Sequence, residues 1–232
     1  MTLDRLREET LEANLELVRR GLVLYTWGNA SGIDRERGVI AIKPSGVPYD
    51  NMKPSDMVIV GLDGTVAPGQ LRASSDLPTH LILYREFEKI GGVVHTHSRC
   101  ATAWAQAGRE IPCLGTTHAD YFHGAVPVTP QLSAQEIEGE YEANTGHAII
   151  RRFQGIDPLS KPGVLVAGHA PFAWGKSAAE AAYHAVVMEE VANLALQTFA
   201  INPNAVGIPQ AMLDKHFLRK HGGKAYYGQE KG

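Results

Sequence analysis

Apolar positions recur at helical spacing over residues 2–20, with Leu6, Leu15 and Val18 among them and Gly21 closing the segment, so the chain opens with an amphipathic helix. Residues 22–33 mix Thr, Tyr and Trp, which suit a strand, with interruptions at Gly28, Asn29 and Gly32. Residues 34–38 read as a polar turn and 39–43 as the returning strand of a hairpin. A strand over 57–60 follows, with Asp63-Gly64 turning onto a short partner. Ser74, Ser75, Asp76 and Pro78 carry a helix start signal, a polar cap with proline in the first turn, for a helix to about residue 89. Gly91 and Gly92 end it, and the β-branched pair Val93-Val94 marks a buried strand. A helix over 98–107, a polar-aromatic stretch over 116–124 (irregular or a short helix) and a brief strand over 126–128 come next. Capping boxes Ser133/Glu136 and Ser177/Glu180 open two helices, the second long and largely buried. Between them, G-V-L-V-A-G-H reads as a buried strand running into a turn at His169, and Pro209 starts a last helix. Short hairpins interleaved with helices argue against a purely parallel sheet. The expected fold is α/β of the α+β type: one domain over 1–232, a mixed, largely antiparallel central sheet, and helices on both faces.

Composition removes several function classes. The 232-residue chain has a formal charge of −3, which gives no basic footprint for nucleic acid. No signal peptide and no apolar run of about 18 residues appears, so no membrane association is expected. The two cysteines, Cys100 and Cys113, fit neither a CxxC motif nor a disulfide framework, and a reducing, cytoplasmic setting is the expectation. Cys100 reads as a buried small hydrophobe rather than a metal neighbour.

The pattern carrying chemistry is G-G-V-V-H-T-H-S over residues 91–98. On a strand, His95 and His97 leave the same face, roughly 6–7 Å apart at the backbone, and both imidazoles can reach one ion. Such a pair can equally be satisfied by backbone or water. A third candidate, His169, makes the set three neutral imidazoles with one coordination position open, as in a catalytic zinc site. Imidazoles also accept Mn2+ and other divalent ions. Three segments, Gly28-Asn29, Ser45-Gly46 and Ser74-Ser75, each combine exposed backbone with a hydroxyl or amide, and Lys43 adds a positive charge. The serine pair lies at a helix N-terminus, which favours an anion. Individually, Ser75 reads as a helix cap and Gly46 as a turn glycine. No GxxxxGK[ST] or GxGxxG occurs, so a small phosphorylated substrate fits better than a nucleotide.

Taken together, T-W-G-N-A-S, I-K-P-S-G-V, S-S-D-L-P-T-H, G-G-V-V-H-T-H-S, T-T-H-A-D-Y-F and D-K-H-F-L-R-K-H-G-G-K-A-Y-Y-G-Q resemble, across essentially the whole chain, the class II, metal-dependent aldolase and epimerase family. The resemblance implies one zinc per subunit held by His95, His97 and His169, with Asp76 at or beside the metal. It implies phosphate binding through Gly28, Asn29, Lys43, Ser45, Gly46, Ser74 and Ser75. It also implies a homotetramer with sites between subunits, the C-terminal segment reaching a neighbouring site. Aldolases of the family carry glutamate at position 76; aspartate there tilts the choice toward epimerisation of a phosphorylated ketopentose, L-ribulose 5-phosphate to D-xylulose 5-phosphate. C3–C4 cleavage and re-addition would achieve this, with Asp120 and Tyr227 exchanging protons and His216 orienting the C-terminal segment. The alternatives are a class II sugar-phosphate aldolase and a non-enzymatic module like the adducin head. A metallo-β-lactamase-type hydrolase is disfavoured because S-R-C follows the histidine pair. L-Arabinose and L-ascorbate breakdown are both candidate sources of the substrate. The remaining histidines, His80, His118, His123, His147, His184 and His221, read as structural or surface groups, His80 with a possible capping task near Asp76.

Overall fold

A computed structural model describes residues 1–221 and Ala225. Among these, six strands form one sheet in the order β3-β2-β1-β4-β6-β5, comprising β1 (Gly28–Asp34), β2 (Val39–Ile42), β3 (Val58–Gly61), β4 (Gly92–Thr96), β5 (Gly163–Leu165) and β6 (Pro171–Gly175). Every neighbouring pair is antiparallel; the one parallel pairing is the isolated bridge Val128–Leu165. The expected 126–128 strand is reduced to such bridges, to Ile111 and Leu165.

Alternation along the strands sends side chains to two separate cores. On one face, Ala30, Val94 and Ala173 meet Ala13 and Leu17 of α1 (Leu3–Arg19), Trp104 of α3 (Arg99–Gln106) and the alanines of α7 (Ala178–Ile201). On the other, Ile33, Ile40, Val93, Phe172 and Trp174 meet Leu81 and Tyr84 of α2 (Leu77–Glu86) and Ile149 of α6 (Tyr141–Arg152). Helices therefore cover both faces, as the hydrophobic pattern predicts. Small residues let α7 approach closely: a Cβ on Gly92 would sit 2.4 Å from the Ser177 carbonyl oxygen. Three short or terminal helices complete the described chain: α4 (Thr116–Ala119), α5 (Ala134–Glu138) and α8 (Gln210–His221).

One helix start differs from the sequence reading, and one helix not anticipated there follows the Ser133 start. The cap of α2 is Asp76, whose side chain makes no capping bond, so Ser75 is not the cap. The helix opened by Ser133 ends at Gly139, after which α6 begins afresh at Tyr141.

Antiparallel pairing puts the N-terminal ends of β1 and β6 beside the C-terminal end of β4. Asn29 pairs with His95, and His95 with Phe172. The two histidines of β4, the Gly28-Asn29 pair and the turn between β5 and β6 thus meet at one end of the sheet.

Candidate active site

His95 shares its strand face with Val93, on the α2/α6 side, and its ring stacks on Phe172 with centroids 4.2 Å apart. His97 leaves the same face just beyond the strand. His169 comes from the β5–β6 turn, which is closed by a bond from the Val166 N–H to the Ala170 carbonyl, with Gly168 at φ +71°. The Nε2 atoms of His95 and His97 stand 3.2 Å apart, and one donor atom from each of the three histidines lies within 4.8 Å of the others. Nitrogens on a tetrahedral ion with bonds of about 2.0–2.1 Å would be separated by roughly 3.3–3.4 Å, so little closure is needed.

The protonation states suit that geometry. Burial pushes all three imidazoles below the usual histidine range, His169 to about 4 with added repulsion from its two neighbours. All three are neutral near pH 7, lone pairs available. Nδ1 of His95 lies 3.0 Å from the Pro171 carbonyl; donating there fixes the proton on Nδ1 and frees Nε2. The residues present therefore fit a divalent metal.

Around this trio lies a cleft of about 630 Å³, lined by His95, His97, His169 and Asp76 and by all seven residues of the expected anion cradle. Asp76 stands outside the three-histidine cluster. Its Oδ2 instead accepts a 2.6 Å bond from the Asn29 amide, which also donates to Ser74 Oγ at 3.0 Å. Burial raises the Asp76 pKa, but the surrounding imidazoles and Asn29 outweigh it and leave the pKa below the usual carboxylate value. Asn29 therefore ties the carboxylate to the serine segment at the start of α2. Lys43 is only 2% exposed; its ammonium donates to the Pro44 and Val47 carbonyls at 3.2 and 3.0 Å and lies 4.8 Å above the Tyr49 ring. Desolvation pulls it down to about 8. The Tyr49 hydroxyl in turn donates to the Gly28 carbonyl at 2.7 Å. Lys43 and Tyr49 thus brace the two loops from below, with Gly28 at φ +134°, where a Cβ would meet Val23 at 2.8 Å and the His95 carbonyl at 3.0 Å.

The sequence-expected proton-transfer residues lie elsewhere. Asp120, at the end of α4, receives two bonds from Arg219 of α8 (3.0 and 2.7 Å) and faces His216 Nδ1 at 3.0 Å. His221 Nε2 reaches the Asp120 carbonyl at 2.8 Å. Neither Asp120 nor His216 lines the cleft, and Tyr227 lies outside the described residues. Of the histidines read as structural, His118 reaches the Gly124 carbonyl, His123 pairs with Asp214, His184 reaches the Trp174 carbonyl and His80 contacts Ser31.

Five lining residues had no role assigned from the sequence: Thr26, Trp27, Pro44, Tyr141 and Glu142. Trp27 was visible inside T-W-G-N-A-S. Tyr141 and Glu142 open α6, a second helix just past Gly139 whose start carries no side-chain capping bond and for which the sequence reading offered no signal.

Known proteins resemble this chain in sequence and in fold. The chain is 55% identical over 228 residues to L-ribulose-5-phosphate 4-epimerase UlaF of Salmonella paratyphi A, covering 98% of this chain and all of that protein. Among solved structures, an L-fuculose 1-phosphate aldolase superimposes with a TM-score of 0.77 at 25% identity, covering 91% of this chain and 94% of that one. YgbL of Klebsiella pneumoniae, described as a putative aldolase/epimerase/decarboxylase, shares the fold with a TM-score of 0.72 at 23% identity, covering 93% and 99%. The model of the Class II Aldolase and Adducin N-terminal domain matches residues 8–196, and the chain belongs to that family.

Proposed function

We propose that this protein is a metal-dependent sugar-phosphate 4-epimerase that interconverts L-ribulose 5-phosphate and D-xylulose 5-phosphate. The observation that carries the reading is the meeting, in one cleft, of three neutral imidazoles with the polar cradle at the start of α2. The end-to-end identity with a relative bearing that activity supports it.

His95, His97 and His169 would hold a divalent ion, zinc or manganese, with Asp76 beside it. Such an ion supplies Lewis acidity, worth several kcal/mol against negative charge developing on carbonyl and hydroxyl oxygens. The protein's own residues do the rest. Ser74 and Ser75 present hydroxyls at the start of α2, where the free N–H groups and helix dipole favour a phosphate. Ser45 and Gly46 close the cradle from the facing loop. Anchoring the phosphate matters because the C4–H of a 2-ketopentose is not acidified by the distant carbonyl. Inversion instead follows removal of the C4 hydroxyl proton and cleavage of C3–C4. The aldehyde fragment, held by its phosphate, turns its face and is attacked again by C3, and its oxygen regains a proton.

Asp120 stands ionised, because the Arg219 guanidinium and His216 outweigh its burial and hold its pKa below the usual carboxylate range. It is free to accept a proton, and the same pairs keep it a weak base. Since it lies outside the cleft of its own chain, it would serve a cleft of a neighbouring subunit in a homotetramer, with Tyr227 as the partner that returns the proton. Free Cys100 and Cys113 accord with a reducing, cytoplasmic setting.

Incubation with L-ribulose 5-phosphate, with and without chelator, tests the reading. D-xylulose 5-phosphate formed only without chelator is the expected result. Release of free dihydroxyacetone together with glycolaldehyde phosphate would make the protein an aldolase instead.

A further inference from the structure

The three imidazoles of the cleft are not equally secured. His95 is held within its own sheet: Phe172 stacks on its ring, and the Pro171 carbonyl faces its Nδ1. His169 sits on a turn and has no such backbone acceptor for its Nδ1 among the described residues. What faces that atom is the Tyr141 hydroxyl, 3.3 Å away, with ring centroids 6.0 Å apart. Tyr141 is the first residue of α6, placed there by the break at Gly139. Its backbone carbonyl accepts from Thr145 Oγ at 2.9 Å, and α6 packs on α2 through the second core. The phenol is therefore carried by a fixed element and not by a loop.

Tautomer logic sets the direction of the bond. If Nε2 of His169 is to offer its lone pair toward the other two histidines, the ring proton is on Nδ1, and Nδ1–H donates to the phenol oxygen. The phenol's own O–H is then left over, on a residue that lines the cleft. A hydroxylated ligand beside the three histidines presents oxygens to accept it.

We infer that Tyr141 is a positioning residue: its hydroxyl fixes His169 in the Nε2-presenting tautomer and turns its own O–H toward a sugar hydroxyl oxygen in the cleft. This rests on the metal-site reading above, and the test separates the two. Zinc affinity is measured by competition with a chromophoric chelator for the unaltered protein and for Tyr141→Phe, alongside the visible spectrum of the cobalt-substituted forms and the melting temperature. The metal-site reading requires the unaltered protein to bind one zinc per chain, and it fails if none binds. Given that, Tyr141→Phe is expected to weaken zinc roughly 10–100-fold and to shift the cobalt bands. The melting temperature of the metal-free form should stay unchanged, because the ring is kept. It should also raise KM for L-ribulose 5-phosphate several-fold while leaving the binding of inorganic phosphate unaltered. Equal zinc affinity and an identical cobalt spectrum would overturn the orienting task; weakened zinc with unchanged KM would overturn the contact to the sugar.

Discussion

Two clusters rich in histidine and carboxylate stand in this chain, and they are built on opposite plans. At the end of β1, β4 and β6, three imidazoles surround an open cleft, and two of their Nε2 atoms face each other. Around Asp120, by contrast, Arg219, His216 and Lys220 converge on one carboxylate and use both its oxygens. The first cluster is short of a positive charge at its centre; the second already has one. Burial drives the pKa values in the first, holding its histidines neutral, while a guanidinium and an imidazole outweigh burial in the second and keep its acid ionised. A set of groups left unsatisfied in one place is a receptor for a cation, and a set satisfied internally is not. The open cluster could therefore hold a cation, and the closed one, with its carboxylate already paired, could not.

The sharpest way to break this contrast is to remove one imidazole. His97 is exposed and meets His95 across 3.2 Å, so His97→Asn is expected to stay folded. It should lose bound metal and lower kcat/KM at least about a thousandfold, a loss of roughly 4 kcal/mol in transition-state stabilisation. Metal analysis and steady-state kinetics on the same preparation check it. Normal activity without that imidazole would remove the cleft's claim to the chemistry.

A second experiment asks whether the two clusters serve one reaction from different chains. Asp120→Asn should lower turnover by roughly 10²–10⁴, the range for a lost proton-transfer group, with metal content unchanged. Mixing it with His97→Asn after dissociation and reassembly then gives sites with an intact cleft from one chain and an intact Asp120 from the other. Random assembly of a closed ring would restore about a quarter of the sites. No recovery at all would place Asp120 and the cleft in separate roles.

What the chain disclosed beforehand follows from the range over which each signal acts. His95 and His97 were legible because a strand's period of two is a local property. Ser74, Ser75 and Asp76 were legible because a helix start is local too. Asp120 and His216 were identified as residues but not as a separate cluster: α8 meets α4 across nearly a hundred positions, and no local pattern encodes that meeting. Asn29 was expected to bind phosphate, yet its amide hydrogens go to Ser74 and Asp76. Lys43 was expected to contribute a charge, yet its ammonium goes to two carbonyls below the loop. In both cases the residue was placed in the right wall of the cleft, while its hydrogen bonds were decided by neighbours distant in sequence. Tyr141 was missed because α6 starts after Gly139 with no side-chain cap to mark it in the sequence.

The smallest effect expected concerns stability, and it separates burial from pairing most directly. His118 lies on α4, beside the Asp120 cluster, with Nε2 2.8 Å from the Gly124 carbonyl and its ring edge-on to Phe122. Burial pushes it down to about 4, against about 6.5 for a free imidazole. Between those values the unfolded chain binds the proton that the folded chain refuses, so stability falls as pH drops from 6.5 toward 4 and is unaffected above 6.5. By pH 5 this one group should cost roughly 2 kcal/mol. His118→Gln removes the titration while keeping a donor for the Gly124 carbonyl. Denaturant melts of the metal-free protein at pH 7 and pH 5 should therefore show a smaller acid-induced loss in the variant than in the unaltered chain, by about that amount. Asp120, two residues on, has the same sign but a lower window, since a carboxylate with a depressed pKa keeps its contribution until the pH falls below about 3.9. An equal acid-induced loss in both proteins would mean that His118 is protonated within the fold, and that the pairs around Asp120, rather than burial, govern this side of the molecule as well.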